Sequence, residues 1–97
     1  MASILVVDDE EGVRSFLVDA LETEGHEVHS APNGQKALEE VRKRSFHVVI
    51  SDLKMPGISG MEVVRTLRAE QPEVQVVVLS AHGTVSSAVE AMKLGAF

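Results

Sequence analysis

The feature that most constrains the fold of this chain is the alternation of short β-branched runs with longer segments of helical period. Short continuous apolar runs, as at residues 4–7, are typical of strands buried on both faces. A weaker segment, in which Val28 is the only large apolar residue, is expected to be an edge strand. Strands that alternate with helices pair in parallel through right-handed crossovers, so the pattern predicts an α/β fold. The four predicted strands are residues 4–7, 27–31, 48–50 and 74–79.

Four helices are predicted between and after these strands. The first should end at Gly25, since glycine is favoured in the left-handed conformation after a helix. Asn33 is expected to cap the second helix, and residues 59–62 have the Ser-x-x-Glu spacing of a capping box that opens the third. The fourth should begin at Thr84 and stop at Gly95. The first helix has an apolar stripe that should face the core, formed by Val13, Phe16, Leu17, Ala20 and Leu21.

Composition excludes several classes of function. The chain has no cysteine, which rules out disulfides and thiolate metal sites. Tyr and Trp are absent and the net charge is −6, so the chain offers neither a stacking platform nor a basic surface for nucleic acid. The apolar runs are far shorter than a membrane span, and the first residues show no signal-peptide pattern. These features predict a cytoplasmic protein without direct contact to nucleic acid or membrane.

Acidic residues follow two of the predicted strands at the point where each strand ends. Asp8 and Asp9 come directly after the first strand, and the third strand ends in Ser51 and Asp52. The hydroxyl residue Ser80 follows the fourth strand in the same way. In an open parallel sheet, ligands bind beyond the carboxyl ends of the strands. Three neighbouring carboxylates are stable together only with a cation or with one of them protonated, and an all-oxygen ligand set suits Mg²⁺.

Each acid taken alone has a simpler interpretation. Asp9 could cap the first helix, and an Asp after a strand is common in turns. The joint placement of three acids and a hydroxyl at matching strand ends favours a binding site over four separate structural roles. The histidines share no metal-ligand spacing and predict no further metal site; they are His26, His29, His47 and His82.

Four segments together form a specific combination: an acid pair after a strand, an Asp-x-x-Met-Pro-Gly loop, a Ser-Ala step and a helical tail. They are residues 4–10 (ILVVDDE), 52–60 (DLKMPGISG), 78–82 (VLSAH) and 88–97 (AVEAMKLGAF). The combination resembles the response-regulator receiver domain of two-component signalling, and most closely the receivers of enhancer-binding transcription activators. The resemblance implies one receiver domain over residues 1–97. Its fold would be a flavodoxin-like doubly wound parallel sheet of order 2-1-3-4-(5), with the fifth strand and the last helix missing.

The resemblance implies a phosphoacceptor in phosphorelay signal transduction and transcription regulation, not an enzyme. Asp52 would take a phosphoryl group from a histidine kinase and so switch a covalently linked output domain, and the receiver would assist its own phosphorylation and dephosphorylation. Ser80 would be the switch hydroxyl that moves onto the phosphoryl oxygens. The backbone amide of Ala81 would donate to the same oxygens.

The resemblance also implies an Mg²⁺ cofactor at the acidic residues. Asp9 and Asp52 would ligate the ion directly, together with the backbone carbonyl of Lys54, while Asp8 would act largely through water. The physical chemistry agrees, because phosphoryl transfer needs in-line positioning and charge neutralisation more than covalent machinery.

The chain departs from the family pattern at its end and leaves other functions open. Family members carry a Lys followed by Pro at the end of a fifth strand, which lies beyond these 97 residues. The alternative is a non-phosphorylated receiver-like interaction or dimerisation module. A phosphatase with an Asp nucleophile fits less well, because Glu10 stands two residues after Asp8, and flavin binding would lack Tyr or Trp. Without a fifth strand, residues 74–79 would form a sheet edge, and we expect a homo-oligomer through this edge or through exchanged terminal elements.

Overall fold

In the residues that the structure, a computed structural model, describes, four strands alternate with three helices. The structure describes residues 2–52, 57 and 60–79. The predicted helix at residues 84–95 and the capping residue Ser59 lie outside the described residues. The elements in chain order are β1 (Ser3–Val7), α1 (Glu11–Thr23), β2 (Glu27–Ala31), α2 (Gly34–Lys43), β3 (Val48–Asp52), α3 (Gly60–Glu70) and β4 (Gln75–Leu79).

The strands form one parallel sheet with the order β2-β1-β3-β4. This order confirms the predicted flavodoxin-like arrangement and places β2 at an edge, as its weak apolar pattern indicated. Leu5 in β1 is the register partner of His29 in β2 and of Val49 in β3, and Val49 is in turn the partner of Val76 in β4. Residues 4–7 are all buried, which confirms that β1 is covered on both faces.

The two faces of the sheet are covered to different extents. Helices α2 and α3 pack on one of them, here called the α2/α3 face, and α1 packs over β2 and β1 on the other, the α1 face. On the α1 face, Val48, Ile50 and Val77 are only half-buried. The α2/α3 face holds a continuous core whose largest fully buried members are Leu5, Val7, Val49, Val63, Val64, Leu67, Val74 and Val76. Most of the apolar burial in the described chain therefore lies on the α2/α3 face.

The apolar stripe of α1 is less buried than the sequence predicts. No residue of α1 is fully buried; Val13 and Leu17 are half-buried, and the side chain of Phe16 is 71% exposed. The reason is the position of α1 over β2 and β1 at one end of the sheet. The other described helices pack on the opposite face, so none of them covers the outer flank of this stripe.

The helix ends follow the sequence signals. Gly25 has a φ of 91°, and its N–H donates to the Glu22 carbonyl while the His26 N–H donates to the Leu21 carbonyl. This pair of hydrogen bonds is a Schellman motif, in which glycine is favoured because the conformation is left-handed. The side chain of Asn33 accepts from the Lys36 N–H at 2.8 Å and caps α2, as predicted. In the described part of the chain, no helix has the length and apolar character needed to cross a membrane.

Candidate metal and phosphoryl site

The parallel register of β1 and β3 brings the predicted acids together. Val7 is the register partner of Ser51, so Asp8 and Asp52 leave adjoining strands at the same level. Asp8, Asp9 and Asp52 each offer a carboxylate oxygen, and these oxygens all lie within 4.8 Å of one another. Asp8 and Asp52 are buried, with 4% and 3% of their surfaces exposed, whereas Asp9 is open to solvent. Two acids of the cluster are therefore buried, and the third is accessible to solvent.

Hydrogen bonds hold the turn between β1 and α1 that carries the acid pair. The Asp8 N–H donates to the Ala31 carbonyl at 3.2 Å, which extends the β1–β2 ladder by one residue. A carboxylate oxygen of Asp8 accepts from the Glu10 N–H at 2.9 Å, an Asp-centred turn of a common kind. The guanidinium of Arg14 donates to the Asp8 carbonyl oxygen at 2.7 Å. Each polar backbone group of Asp8 thus has a partner.

The alternative role of Asp9 as a helix cap does not match the structure. The N-cap residue of α1 is Glu10, with extended backbone angles, and its side chain makes no capping hydrogen bond. Asp9 therefore precedes the cap, in a position where its carboxylate joins Asp8 and Asp52. This leaves a role in the acidic cluster as the better account of Asp9.

Ser51 supports Asp52 from within the sheet. It is fully buried, and its hydroxyl donates to the Asp52 carbonyl oxygen at 3.1 Å. A hydroxyl in an apolar environment is costly unless it is hydrogen-bonded, and this local bond satisfies it. Since side chains alternate along a strand, Ser51 lies on the α2/α3 face and Asp52 on the α1 face.

The electrostatics of the cluster favour a cation. Burial raises the pKa of Asp8, and repulsion from Asp52, Asp9 and Glu10 raises it further, while the hydrogen bond from the Glu10 N–H partly offsets both effects. Two unit charges 4 to 5 Å apart repel by about 3 to 4 kcal/mol at an effective dielectric near 20. Three carboxylates are an all-oxygen ligand set of the type that binds hard divalent cations such as Mg²⁺. The residues present therefore fit a divalent cation.

The remaining predicted site residues cannot be placed. Lys54, Ser80 and Ala81 lie outside the described residues, as does His82. Two other histidines lie at the opposite, amino-terminal edge of the sheet, each one residue before a strand. Nδ1 of His26 accepts from the Ala2 N–H at 3.1 Å, and Nδ1 of His47 accepts from the Ser3 N–H at 2.9 Å.

Sequence reasoning missed two residues beside the cluster, Arg14 and Ser51. The signal for Arg14 was its position in the first turn of the helix that follows the acid pair, where a long side chain can fold back onto the turn. The signal for Ser51 was a lone hydroxyl inside an otherwise apolar strand, directly before the acid.

Comparison with known proteins agrees with the fold. Residues 4–97 match the family described as the response regulator receiver domain. The chain is 37% identical over 95 residues to the response regulator protein FleR of Pseudomonas aeruginosa, which covers 98% of the chain and 20% of FleR. It is 37% identical over 94 residues to the regulatory protein AtoC of Escherichia coli, covering 97% of the chain and 20% of AtoC. The chain thus spans about a fifth of the length of these relatives.

A solved structure gives the same result. The crystal structure of a response regulator receiver domain protein from Clostridium thermocellum superposes with a TM-score of 0.94 at 38% identity, covering 100% of the chain and 79% of that protein. The relatives found include receivers of enhancer-binding activators, as the sequence motifs indicated. The family match extends from β1 to the last residue, and the shared fold places the three acids at one edge of the sheet. The chain is a member of the response regulator receiver domain family.

Proposed function

We propose that this receiver domain accepts a phosphoryl group on Asp52 from the phosphohistidine of a histidine kinase, in a reaction that requires Mg²⁺. The observation that carries the proposal is the acidic cluster, in which the Asp52 carboxylate lies within 4.8 Å of those of Asp8 and Asp9. Family membership supports the same role. The cytoplasmic location expected from the sequence stays a prediction.

The chemistry assigned to Asp52 is a nucleophilic displacement at phosphorus. One carboxylate oxygen attacks the phosphorus atom in line with the bond to the histidine nitrogen. The O–P bond forms as the P–N bond breaks, and the nitrogen keeps the electron pair. The near-complete burial of Asp52 restricts solvent around the oxygen that attacks, and the donated hydrogen bond from Ser51 holds its backbone.

Several residues would hold the cation, and two other groups would bind the phosphoryl oxygens. Asp9 and Asp52 are proposed as direct ligands with the backbone carbonyl of Lys54, and Asp8 as a ligand acting largely through water. When bound, Mg²⁺ neutralises charge on the phosphoryl oxygens and on the acidic cluster. Ser80 and the Ala81 amide are proposed to bind the phosphoryl oxygens.

The proposed partners are a histidine kinase and an output domain. FleR and AtoC are about five times as long as the region matched here, and both are named as regulatory proteins. Their length is consistent with an output domain joined to a receiver. We therefore propose that the receiver controls an output domain involved in transcription.

A polypeptide of these 97 residues is also proposed to self-associate through β4. Among the described strands, only β3 pairs with β4, so the backbone groups on its other side have no described strand as partner. Val77 on the α1 face of β4 is half-buried. An apolar strand edge of this kind pairs readily with a second chain, directly or by exchange of terminal elements.

Replacing Asp52 by Asn should abolish phosphorylation. Asn keeps the shape of the side chain but lacks the nucleophilic carboxylate. Intact mass and acid-labile phosphate would be measured after incubation with acetyl phosphate and MgCl₂, and with a phosphorylated kinase. The matched control is Asp19→Asn, which changes an exposed acid of α1. Equal labelling of Asp52→Asn and wild type would overturn the assignment, and no labelling of wild type with either donor would favour a non-phosphorylated interaction module.

Mg²⁺ should stabilise the wild-type protein and leave Asp9→Ala unaffected. At a concentration 100 times its dissociation constant, a ligand that binds only the folded state contributes about 2.7 kcal/mol. Thermal melts with EDTA and with MgCl₂ would measure this as a rise in the midpoint. An equal shift in wild type and Asp9→Ala would contradict the ligand assignment, and NaCl at matched ionic strength controls for screening.

Without divalent cations, Asp8→Asn should be more stable than wild type at neutral pH. The folded-state pKa of Asp8 lies above its usual value of 3.8. In the pH window between the unfolded and folded pKa values, the folded protein therefore binds more protons than the unfolded chain. Wild-type stability should therefore fall as pH rises through the window, and Asn removes this loss while keeping the acceptor for the Glu10 N–H. We expect Asp8→Asn to be the more stable protein at pH 7, and the difference to shrink as the pH falls toward 3.8, the usual pKa of Asp. Urea titrations in EDTA would measure it, and a constant difference across this range would refute the electrostatic cause.

Val77→Lys should weaken self-association of the 97-residue polypeptide. The charged side chain would oppose a second strand at the edge of β4, and we expect the dissociation constant to rise by about tenfold or more. Val28→Lys is the matched control, because Val28 is a half-buried valine on the same face of the opposite edge strand. Sedimentation at several concentrations would measure both variants. A wild-type species of 10.5 kDa at every concentration would contradict the proposal.

A further inference from the structure

Arg14 is a cationic side chain that contacts the acidic turn, and it does so through the backbone. It lies in the first turn of α1, is half-buried, and donates from Nη1 to the Asp8 carbonyl oxygen at 2.7 Å. Its own N–H donates to the Glu10 carbonyl at 3.1 Å. We propose that Arg14 is a positioning residue for the cation site, which it serves by fixing the peptide group that joins Asp8 to Asp9. This inference rests on the proposed Mg²⁺ site.

The peptide group between the two acids controls how they are arranged. A peptide unit is planar, so the direction of the Asp8 carbonyl also sets the direction of the Asp9 N–H. Fixing that carbonyl therefore limits rotation about the bonds that separate the Asp8 and Asp9 side chains. The Asp8 N–H is already held by the Ala31 carbonyl, and the Asp8 carboxylate by the Glu10 N–H. The bond from Arg14 holds the remaining backbone group of Asp8.

The carbonyl needs this donor because of where it lies. Asp8 is almost fully buried, and buried carbonyl groups in folded proteins have hydrogen-bond partners. Arg14 also lines an open cleft of about 340 Å³ between α1 and β2, with Ser15, Asp19 and Ser30 among the other lining residues. We expect water from this cleft to take the place of the guanidinium when Arg14 is replaced. We therefore expect loss of Arg14 to loosen the acid pair without unfolding the domain.

A purely electrostatic role for Arg14 predicts the opposite result. A positive charge that acted on the cluster would compete with a divalent cation, so its removal would tighten cation binding. The guanidinium donates from Nη1 to the backbone carbonyl of Asp8 at 2.7 Å, so its contact with the turn is made through the backbone. This supports an action through the carbonyl. The sign of the change in cation affinity separates the two roles.

The test is calorimetric titration of MgCl₂ into the 97-residue protein, with metal-free melting temperatures measured in parallel. Arg14→Met removes the donors and keeps an unbranched stem, and we expect the Mg²⁺ dissociation constant to rise about tenfold. Arg14→Lys keeps the charge and one donor nitrogen, and its affinity should lie between those of wild type and Arg14→Met. Arg42→Met is the matched control, because Arg42 lies in the last turn of α2, at the amino-terminal edge of the sheet, away from the acids. It should bind as wild type does.

The outcomes separate this inference from the proposed function. An Arg14→Met protein that binds Mg²⁺ as tightly as wild type, or more tightly, overturns the positioning role while the cation site stands. An Arg14→Lys affinity no better than that of Arg14→Met overturns it as well. If wild type and Asp9→Ala both give only heats of dilution, the cation site itself is refuted, and the role of Arg14 is refuted with it. If Arg14→Met fails to fold, Arg14→Gln takes its place, because Gln ends at the position of Nε and so lacks the charge and the Nη1 donor: wild-type affinity overturns the role, and weaker binding at an unchanged melting temperature supports it.

Discussion

The acidic site depends on the register between β1 and β3. Val7 pairs with Ser51, and only this register lets Asp8 and Asp52 leave the two strands side by side. A shift by one residue would turn every side chain of one strand to the other face and would separate the two carboxylates. In most half-buried sheets the alternation of apolar and polar residues prevents such a shift. Here it does not, because residues 4–7 of β1 are apolar and buried on both faces.

Hydrogen bonds at the amino-terminal edge of the sheet favour one register between β1 and its neighbouring strands. His47 stands one residue before β3; its N–H donates to the Ser3 carbonyl at 2.8 Å and its ring accepts from the Ser3 N–H at 2.9 Å. A similar pair of hydrogen bonds joins β2 to β1, but here two consecutive residues make them. The Glu27 N–H donates to the Ala2 carbonyl, and the ring of His26 accepts from the Ala2 N–H. The hydrogen bonds of these two histidines therefore favour one register between the strands. They act at the edge opposite to the acids, and through the register they determine where the acids meet.

Much of the fold could be predicted because its signals are local. Gly25 ends α1 and Asn33 caps α2 through backbone geometry that depends on neighbouring residues alone. The acids could be placed at one edge because all parallel strands end there. The contact of Arg14 with the Asp8 carbonyl could not be predicted, since it depends on the angle at which α1 leaves the turn. The exposure of Phe16 was missed for a related reason: its helical spacing indicates an apolar stripe, but the coverage of that stripe depends on where α1 lies over the sheet.

The distribution of buried polar residues points to the same candidate site without any family resemblance. In the described part of the chain, the buried polar and charged residues are Asp8, Ser51 and Asp52, and all three lie at the carboxyl ends of β1 and β3. Other charges pair at the surface, as Arg42 does with Glu70 at 3.0 Å. A buried, mutually repelling acid pair lowers stability, so a fold that carries one offsets the loss through the rest of its core, here the α2/α3 face. Such a local conflict is expected where a ligand supplies the missing charge, and the exposed carboxylate of Asp9 leaves the cluster accessible to the divalent cation proposed above.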